Sequence, residues 1–190
     1  MKAQREAWRQ QTAALNLSHL VFVDETGAKT NMTRRYGRAQ GGRRVVDCAP
    51  HGHWATTTLL SSIRLDGSTA PMVIEGPTDA EVFAAYVCQV LAASLHVGDI
   101  VILDNLSPHK MAVVDSAIRA AGAEVLFLPP YSPDLNPIEP MWSKVKAFLR
   151  ALKARTRRGL LAGIRDALRS VTPDDVLGWF SHCGYVATQS

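Results

Sequence analysis

The chain has 190 residues, a hydrophobic fraction of 47%, a charged fraction of 20% and a formal net charge of +4. This length fits one ordinary domain that buries roughly 70% of its unfolded surface. No apolar run reaches the roughly 18 residues of a membrane span, and the N-terminus has no apolar signal region. The three cysteines are scattered without metal-ligand spacing, which favours free thiols in a reducing compartment.

The first half of the chain predicts one helix and then strands. Residues 3–15 predict a mostly polar helix, which we interpret as a linker helix occupying residues 1–17. Leu20 to Val23 predicts a buried strand that ends at Asp24, and a polar loop or hairpin follows through Gly41-Gly42. Further strands, with a turn at Asp66-Gly67 before the last of them, are predicted over Arg44 to Cys48, Trp54 to Leu65 and Met72 to Ile74.

The second half alternates helices and strands. A capping box of Thr78 and Glu81 predicts the start of a helix, and two apolar stretches predict strands, Ile100 to Leu103 and Val125 to Leu128. Further helices are predicted from Ser107-Pro108 to Gly122, from Asn136-Pro137 onward, over 159–170 and over 173–182. This order predicts an α/β fold in which a mixed sheet carries helices on both faces.

Three acids occupy positions where such folds hold their sites. Asp24 follows the first strand, Asp104 follows a central strand, and Glu139 lies in the first turn of a helix. Phosphodiester cleavage needs an activated water and a stabilised leaving oxygen, which two divalent ions held by carboxylates can supply. Each acid also has an ordinary explanation, because Asp24 and Asp104 can simply end strands and Glu139 can be the glutamate of a capping box.

Neighbouring polar residues are expected to support the site without binding metal. Glu25 follows Asp24 directly and therefore points to the opposite face of the strand. Asn105 and His109 are candidates for orienting a carboxylate or contacting phosphate, although an ordinary helix-start histidine explains His109 equally well. Trp142 lies on the apolar stripe of its helix and is predicted to belong to the core.

Two segments of the chain are basic and contain no acid, namely Lys29 to Arg44 and Lys144 to Arg158. Two such segments can flank a phosphate backbone, where each neutralised phosphate releases counterions. Solvated protein faces are the ordinary alternative. Together with the carboxylates, the segments favour double-stranded DNA as a partner, contacted by Arg34, Arg35, Arg38, Arg43, Arg44, Lys144 and Lys146.

Four stretches resemble the DDE transposases, specifically the bacterial insertion-sequence relatives of the mariner elements. They are Val-Asp-Glu-Thr-Gly at 23–27, Tyr-Gly-Arg-Ala at 36–39, Leu-Asp-Asn-Leu-Ser-Pro-His-Lys at 103–110, and Leu-Pro-Pro-Tyr-Ser-Pro-Asp-Leu-Asn-Pro-Ile-Glu-Pro-Met-Trp-Ser-Lys-Val-Lys at 128–146. The 34 residues between Asp104 and Glu139 match the spacing of this branch. The resemblance implies an RNase H-like fold with a mixed five-stranded sheet over residues 18–185, followed by a tail over 186–190.

The resemblance also implies an activity, which is cleavage at transposon ends and transfer of the 3′-hydroxyl into target DNA, typically at a TA dinucleotide. Asp24, Asp104 and Glu139 would be the catalytic and metal-binding residues, with Mg²⁺ as the ion and Mn²⁺ able to substitute. We expect a homodimer on DNA and a cytoplasmic, nucleoid-associated bacterial protein. Relatives carry helix-turn-helix modules ahead of this domain, so recognition of transposon ends is expected to need more than this polypeptide.

Two alternatives remain open from the sequence. One is another RNase H-like nuclease, such as a resolvase or an RNA–DNA hybrid nuclease, which the 128–146 block disfavours. The other is a truncated, non-catalytic transposase that binds DNA and inhibits the active enzyme. The intact set of three acids weakens this second alternative.

Overall fold

The computed structural model describes residues 2–34, 36–48, 50, 56–105 and 107–186. Within them, a mixed five-stranded sheet has the strand order β3-β2-β1-β4-β5. β1 pairs antiparallel with β2, and β2 with β3, whereas β4 lies parallel to both β1 and β5. The predicted mixed sheet is therefore confirmed, and its strands are β1 (Leu20–Ala28), β2 (Thr57–Ile63), β3 (Met72–Glu75), β4 (Ile100–Leu103) and β5 (Glu124–Phe127).

Helices cover both faces of this sheet, as the sequence predicts. None of the helices in the described ranges is long and apolar enough to cross a membrane. The last helix begins with a capping box between Thr172 and Asp175 and with Pro173 at its first position. The helices are α1 (Lys2–Ala13), α2 (Ala80–Tyr86), α3 (Ala112–Ala120), α4 (Ile138–Leu152), α5 (Arg157–Arg169) and α6 (Pro173–His182).

Alternation along β1 divides the core into two layers. Leu20 and Phe22 belong to the layer that contains the apolar residues of α1, α4, α5 and α6. Val21 and Val23 belong to the other layer, together with residues of α2 and α3. Since successive strand residues point to opposite faces, the acids that follow Val23 also point to different layers.

Two strand predictions are wrong. β1 does not end at Asp24 but continues to Ala28, because antiparallel pairing with β2 runs on to the pair of Ala28 and Thr57. Arg44 to Cys48 forms no strand; the segment is exposed, with Val46 85% exposed, so no packing surface stabilises a strand there. Arg35 and residues 51–55, where the strand from Trp54 was expected to begin, lie outside the described residues.

Two helix starts also differ from the sequence prediction. Asp79, not Thr78, caps α2, because its Oδ1 accepts the backbone N–H of Val82 at 2.8 Å. The helix predicted from Ser107 is divided into a single 3₁₀ turn over Ser107–Lys110 and α3, which begins at Ala112. The extended backbone of Met111, with φ −68° and ψ 139°, separates the two elements.

The first helix packs on the core and is held to the far end of the chain. Trp8 is 5% exposed, and its Nε1 donates to the hydroxyl of Tyr185 at 3.0 Å. Tyr185 in turn donates to the carbonyl of Leu135 at 2.8 Å. The division into a linker helix over 1–17 and a catalytic domain over 18–185 stays a prediction, but α1 shares the core of that domain.

We predict that Trp8→Ala lowers the free energy of unfolding by about 3 kcal/mol, because it leaves a cavity in the core and removes the partner of Tyr185. Urea unfolding followed by circular dichroism measures the change. Val97→Ala is the control, since Val97 is 83% exposed and its loss should change stability little. A Trp8 variant as stable as this control would mean that α1 contributes nothing to the folded domain.

Candidate active site

The pairing of β1 with β4 sets the positions of two predicted catalytic acids. The ladder joins Leu20 to Ile100 and ends at the pair of Phe22 and Ile102. Two residues further along each chain come Asp24 and Asp104. Since strand side chains alternate between faces, the Asp24 carboxylate follows the face of Phe22, which α4 covers. Asp104 comes directly after β4, and its carboxylate lines the same cavity as that of Asp24.

The third acid comes from α4, which crosses this face and contacts β1. Glu139 is the second residue of that helix and is exposed. Asp24, Asp104 and Glu139 line one cavity of about 340 Å³, together with Asn105 and the Pro-rich loop, which we define as residues 128–136. The structure therefore brings together the three acids that the sequence singles out, and Asn105 with them.

Burial and charge both act on Asp24. Desolvation, followed by the charges of Glu139, Glu25 and Asp104, raises the pKa of Asp24 to about 7, against a backbone hydrogen bond at Glu25 that lowers it. Ionised Asp24 therefore destabilises the fold unless a cation compensates its charge. This is the electrostatic condition expected of a cation-binding carboxylate.

Trp142 has a role that the sequence analysis does not assign to it. It is buried as predicted, but its Nε1 donates to Asp24 Oδ2 at 3.2 Å. Trp142 lies three residues after Glu139, one turn along the same side of α4. One helical turn thus carries an acid of the site and the donor that orients another acid. The spacing of Glu139 and Trp142 was the available sequence signal.

His109 lies between two carboxylates. Its Nδ1 is 2.5 Å from Asp104 Oδ1, and its Nε2 is 3.5 Å from Glu25 Oε2. Burial works against its charged form, but the contacts with Asp104 and Glu25 raise the pKa of His109 to about 9. The ring stacks on Phe83 with centroids 4.0 Å apart. His109 is therefore in contact with Asp104, and its role in orienting that carboxylate stays a prediction.

Glu25 points to the opposite face from Asp24, as expected from the strand alternation. That face holds Phe83 and the α2–α3 layer, where Glu25 meets His109. Adjacent acids of β1 thus reach the same site from two sides of the sheet, Asp24 directly and Glu25 through the imidazole. No sequence pattern indicated the contact between Glu25 and His109.

The oxygen atoms of the cavity are of the kind that binds a hard divalent cation. The three acids in the cavity offer only carboxylate oxygens, which Mg²⁺ prefers as ligands. Over the described ranges, however, no three His, Cys, Asp or Glu side chains are gathered closely enough to hold one ion as they stand. Asp24 and Asp104 instead contact Trp142 and His109.

The family model for the DDE superfamily endonuclease matches residues 19–160. The chain belongs to this family. A comparison with curated proteins gave no significant match. The matched range contains Asp24, Asp104 and Glu139, and with them the whole five-stranded sheet.

Solved structures share the fold of this chain. In a Mos1 transposase paired-end complex with the left transposon end, the TM-score is 0.77 at 16% identity, over 95% of this chain and 56% of the Mos1 chain. For the catalytic domain of Mos1 mariner transposase, the TM-score is 0.63 at 13% identity, over 95% and 84%. The fold is therefore RNase H-like, as the resemblance implied, and the chain spans about half of the Mos1 chain in that complex.

The predicted DNA-contacting residues of this chain differ in their surroundings. Lys144 pairs with Asp175, and this contact, with the Thr172 cap, lowers the pKa of Asp175 to about 2. The ammonium group of Lys144 is thus already engaged by a carboxylate of the same chain. Lys146 lies on the same side of α4 as Glu139 and Ser143, because the three residues follow one another at helical spacing. They form one line along the helix that begins at the cavity.

The other predicted basic residues belong to an arm, which we define as residues 29–48. Arg38, Arg43 and Arg44 are exposed, as is Arg34, which lines a groove beside Lys153. The arm is held by the connection that follows α4, because Arg155 donates to the carbonyls of Thr30 and Met32, each at 2.9 Å. The arm therefore presents arginines beside the helix that carries Glu139.

We predict that Asp24→Asn stabilises the metal-free protein at pH 8 by about 2 kcal/mol and has little effect at pH 4. Asp24 stays protonated in the folded chain up to about pH 7, whereas it ionises near pH 4 when unfolded. Wild type therefore loses stability between these values, and the loss is complete above pH 7. The amide oxygen of Asn can still accept the Trp142 hydrogen bond.

The measurement is urea unfolding in EDTA from pH 4 to pH 8. Glu81→Gln, an exposed acid in the first turn of α2, is the control and should show no such pH-dependent difference from wild type. A difference between wild type and the Asp24 variant that stayed constant across this range would contradict the raised pKa.

Proposed function

We propose that this chain is the catalytic domain of a DNA transposase that cleaves DNA strands and transfers their 3′-hydroxyl ends into target DNA. The observation that carries the proposal is the convergence of Asp24, Asp104 and Glu139 on one cavity, in a chain of the DDE endonuclease family. The fold supports it, because Mos1 transposase, solved with transposon-end DNA, shares that fold.

Asp24, Asp104 and Glu139 are the residues that would hold Mg²⁺, with Mn²⁺ able to substitute. Mos1 paired-end complexes have been solved with Mg and with Mn. When bound, two such ions supply an activated water and a stabilised leaving oxygen.

The surrounding side chains prepare this site. Trp142 and His109 orient the two aspartates before DNA arrives, so less reorganisation is needed during the reaction. Glu139 is exposed at the cavity mouth. Asp24 and Asp104 are half-buried, so Glu139 is the most exposed acid of the three.

The proposal extends to partners and origin. Double-stranded DNA, both transposon ends and target, is the partner, bound by two copies of the chain. The arm arginines and Lys146 supply the phosphate contacts. The resemblance of the 128–146 block supports three further parts of the proposal. They are a bacterial insertion-sequence origin, insertion at TA and a nucleoid-associated cytoplasmic location.

We predict that Asp24→Asn, Asp104→Asn and Glu139→Gln each reduce DNA nicking at least a hundredfold while the fold is retained. Each change keeps the size of the side chain but removes a charge that holds a cation. The assay follows nicking and strand transfer on labelled transposon-end DNA, with Mg²⁺ and with EDTA. Glu81→Gln should nick as wild type does.

Melting curves on the same samples separate chemistry from folding. Mg²⁺ should raise the Tm of wild type, because it binds the folded state, and should raise the Tm of each variant less. A variant that nicks at the wild-type rate would remove its residue from the site. Nicking without strand transfer would favour another RNase H-like nuclease, and DNA binding without metal-dependent nicking would favour a non-catalytic inhibitor.

We predict that Lys146→Ala weakens binding to duplexes of any sequence and lowers the slope of log affinity against log salt by about 0.9, the value for one lost phosphate contact. Lys144→Ala is the matched control, since its charge is engaged by Asp175. It should leave the slope unchanged. Fluorescence anisotropy at several salt concentrations measures both variants, and equal slopes for the two would reject Lys146 as a phosphate contact.

A further inference from the structure

The rim of the cavity holds a tyrosine in an unfavourable backbone conformation. Tyr131, in the Pro-rich loop, has a φ of +54°, in the left-handed region that bulky residues rarely adopt. Its side chain is nevertheless 91% exposed, so packing of the ring does not offset this strain. Such strain persists where the surrounding structure holds the backbone in place, and it concentrates at functional sites.

Contacts from distant parts of the chain hold the Pro-rich loop. Arg5 of α1 donates to Ser132 Oγ at 3.1 Å and to Asp134 Oδ1 at 2.9 Å. Ser132 Oγ donates to the carbonyl of Pro130 at 3.2 Å, and Tyr185 holds the carbonyl of Leu135. Both neighbours of Tyr131 are therefore anchored, and the ring is held out over the rim.

The cavity needs something other than positive charge to hold a DNA strand. It is lined by the three acids, and among its described lining residues none is Lys or Arg. Phosphates therefore find their cations outside it, along α4 and the arm. Apart from the acids, the lining offers mainly the proline rings, the carbonyl-rich loop backbone and the exposed face of Tyr131.

We propose that Tyr131 is a positioning residue that stacks on an unpaired base of the DNA strand being cleaved, beside the scissile phosphate. This proposal rests on the proposed function. Aromatic rings hold bases of any sequence by stacking, and enzymes that do chemistry on a base show that a protein can hold a nucleotide moved out of the stack. An exposed ring on an anchored backbone, next to an acidic cavity, supplies this contact without adding charge at the carboxylates.

Two variants separate the ring from the backbone. Tyr131→Phe keeps the stacking surface and removes only the hydroxyl. Tyr131→Asn removes the ring, and Asn tolerates the left-handed conformation better than most residues, so it relieves strain and does not add to it. We expect Tyr131→Asn to melt at or above the wild-type Tm and to keep the Mg²⁺-induced shift in Tm.

The readouts are nicking kinetics and base stacking. The site nicked by wild type is mapped first, and 2-aminopurine then replaces each nucleotide beside it. On binding in EDTA, we expect this fluorescence to be lower with wild type and Tyr131→Phe, whose ring covers the unpaired base, than with Tyr131→Asn. Nicking by Tyr131→Asn should show kcat/KM lower by about tenfold or more, while Tyr131→Phe stays within about twofold of wild type.

The outcomes distinguish this proposal from the proposed function. Wild type that neither binds nor nicks DNA would reject the proposed function itself. Wild type that nicks, with Tyr131→Asn equally active or equally quenching, would overturn the role of Tyr131 alone. A lower Tm in Tyr131→Asn would assign the residue to stability, and equal losses in both variants would assign the effect to the hydroxyl.

Discussion

The parallel ladder between β1 and β4 ends at Phe22 and Ile102, and the acids of both strands follow at the same distance beyond that pair. Because the register is shared, Asp24 and Asp104 come together at the same end of the two strands. α4 covers that face and adds Glu139 from its first turn. Since β2 continues to pair with β1 as far as Ala28, Asp24 is carried on ordered strand backbone, which holds a side chain more exactly than a loop does.

Gathering acids in a cavity costs folding free energy, and the surrounding side chains lower that cost. Trp142 approaches Asp24 from the α4 layer, whereas His109 approaches Asp104 with Glu25 behind it, on the α2–α3 side. Both rings are fixed by apolar surroundings: Trp142 lies in one core layer, and His109 packs on Phe83 in the other. Both halves of the core therefore contribute to the geometry of a single site.

Local patterns in the sequence predicted what depends on local interactions. Apolar runs indicated β4 and β5, and Thr172-Pro173 indicated the start of α6. The spacing of the motifs indicated Asp104 and Glu139 as catalytic acids. The contacts that complete the site join residues far apart in the chain, such as Trp142 with Asp24 or Lys144 with Asp175, and no periodicity reports them. The extension of β1 beyond Asp24 was missed for the same reason, because it depends on pairing with β2.

The hydrogen bonds that hold the Pro-rich loop join Arg5 to Ser132 and Tyr185 to Leu135, so the loop depends on residues on either side of it in the chain. During synthesis, Arg5 emerges from the ribosome long before its partner, and Tyr185 emerges after all six helices described here. The rim of the cavity therefore reaches its final form only when nearly all of these residues have been made. The three acids therefore emerge before the loop that completes the cavity around them is held in place.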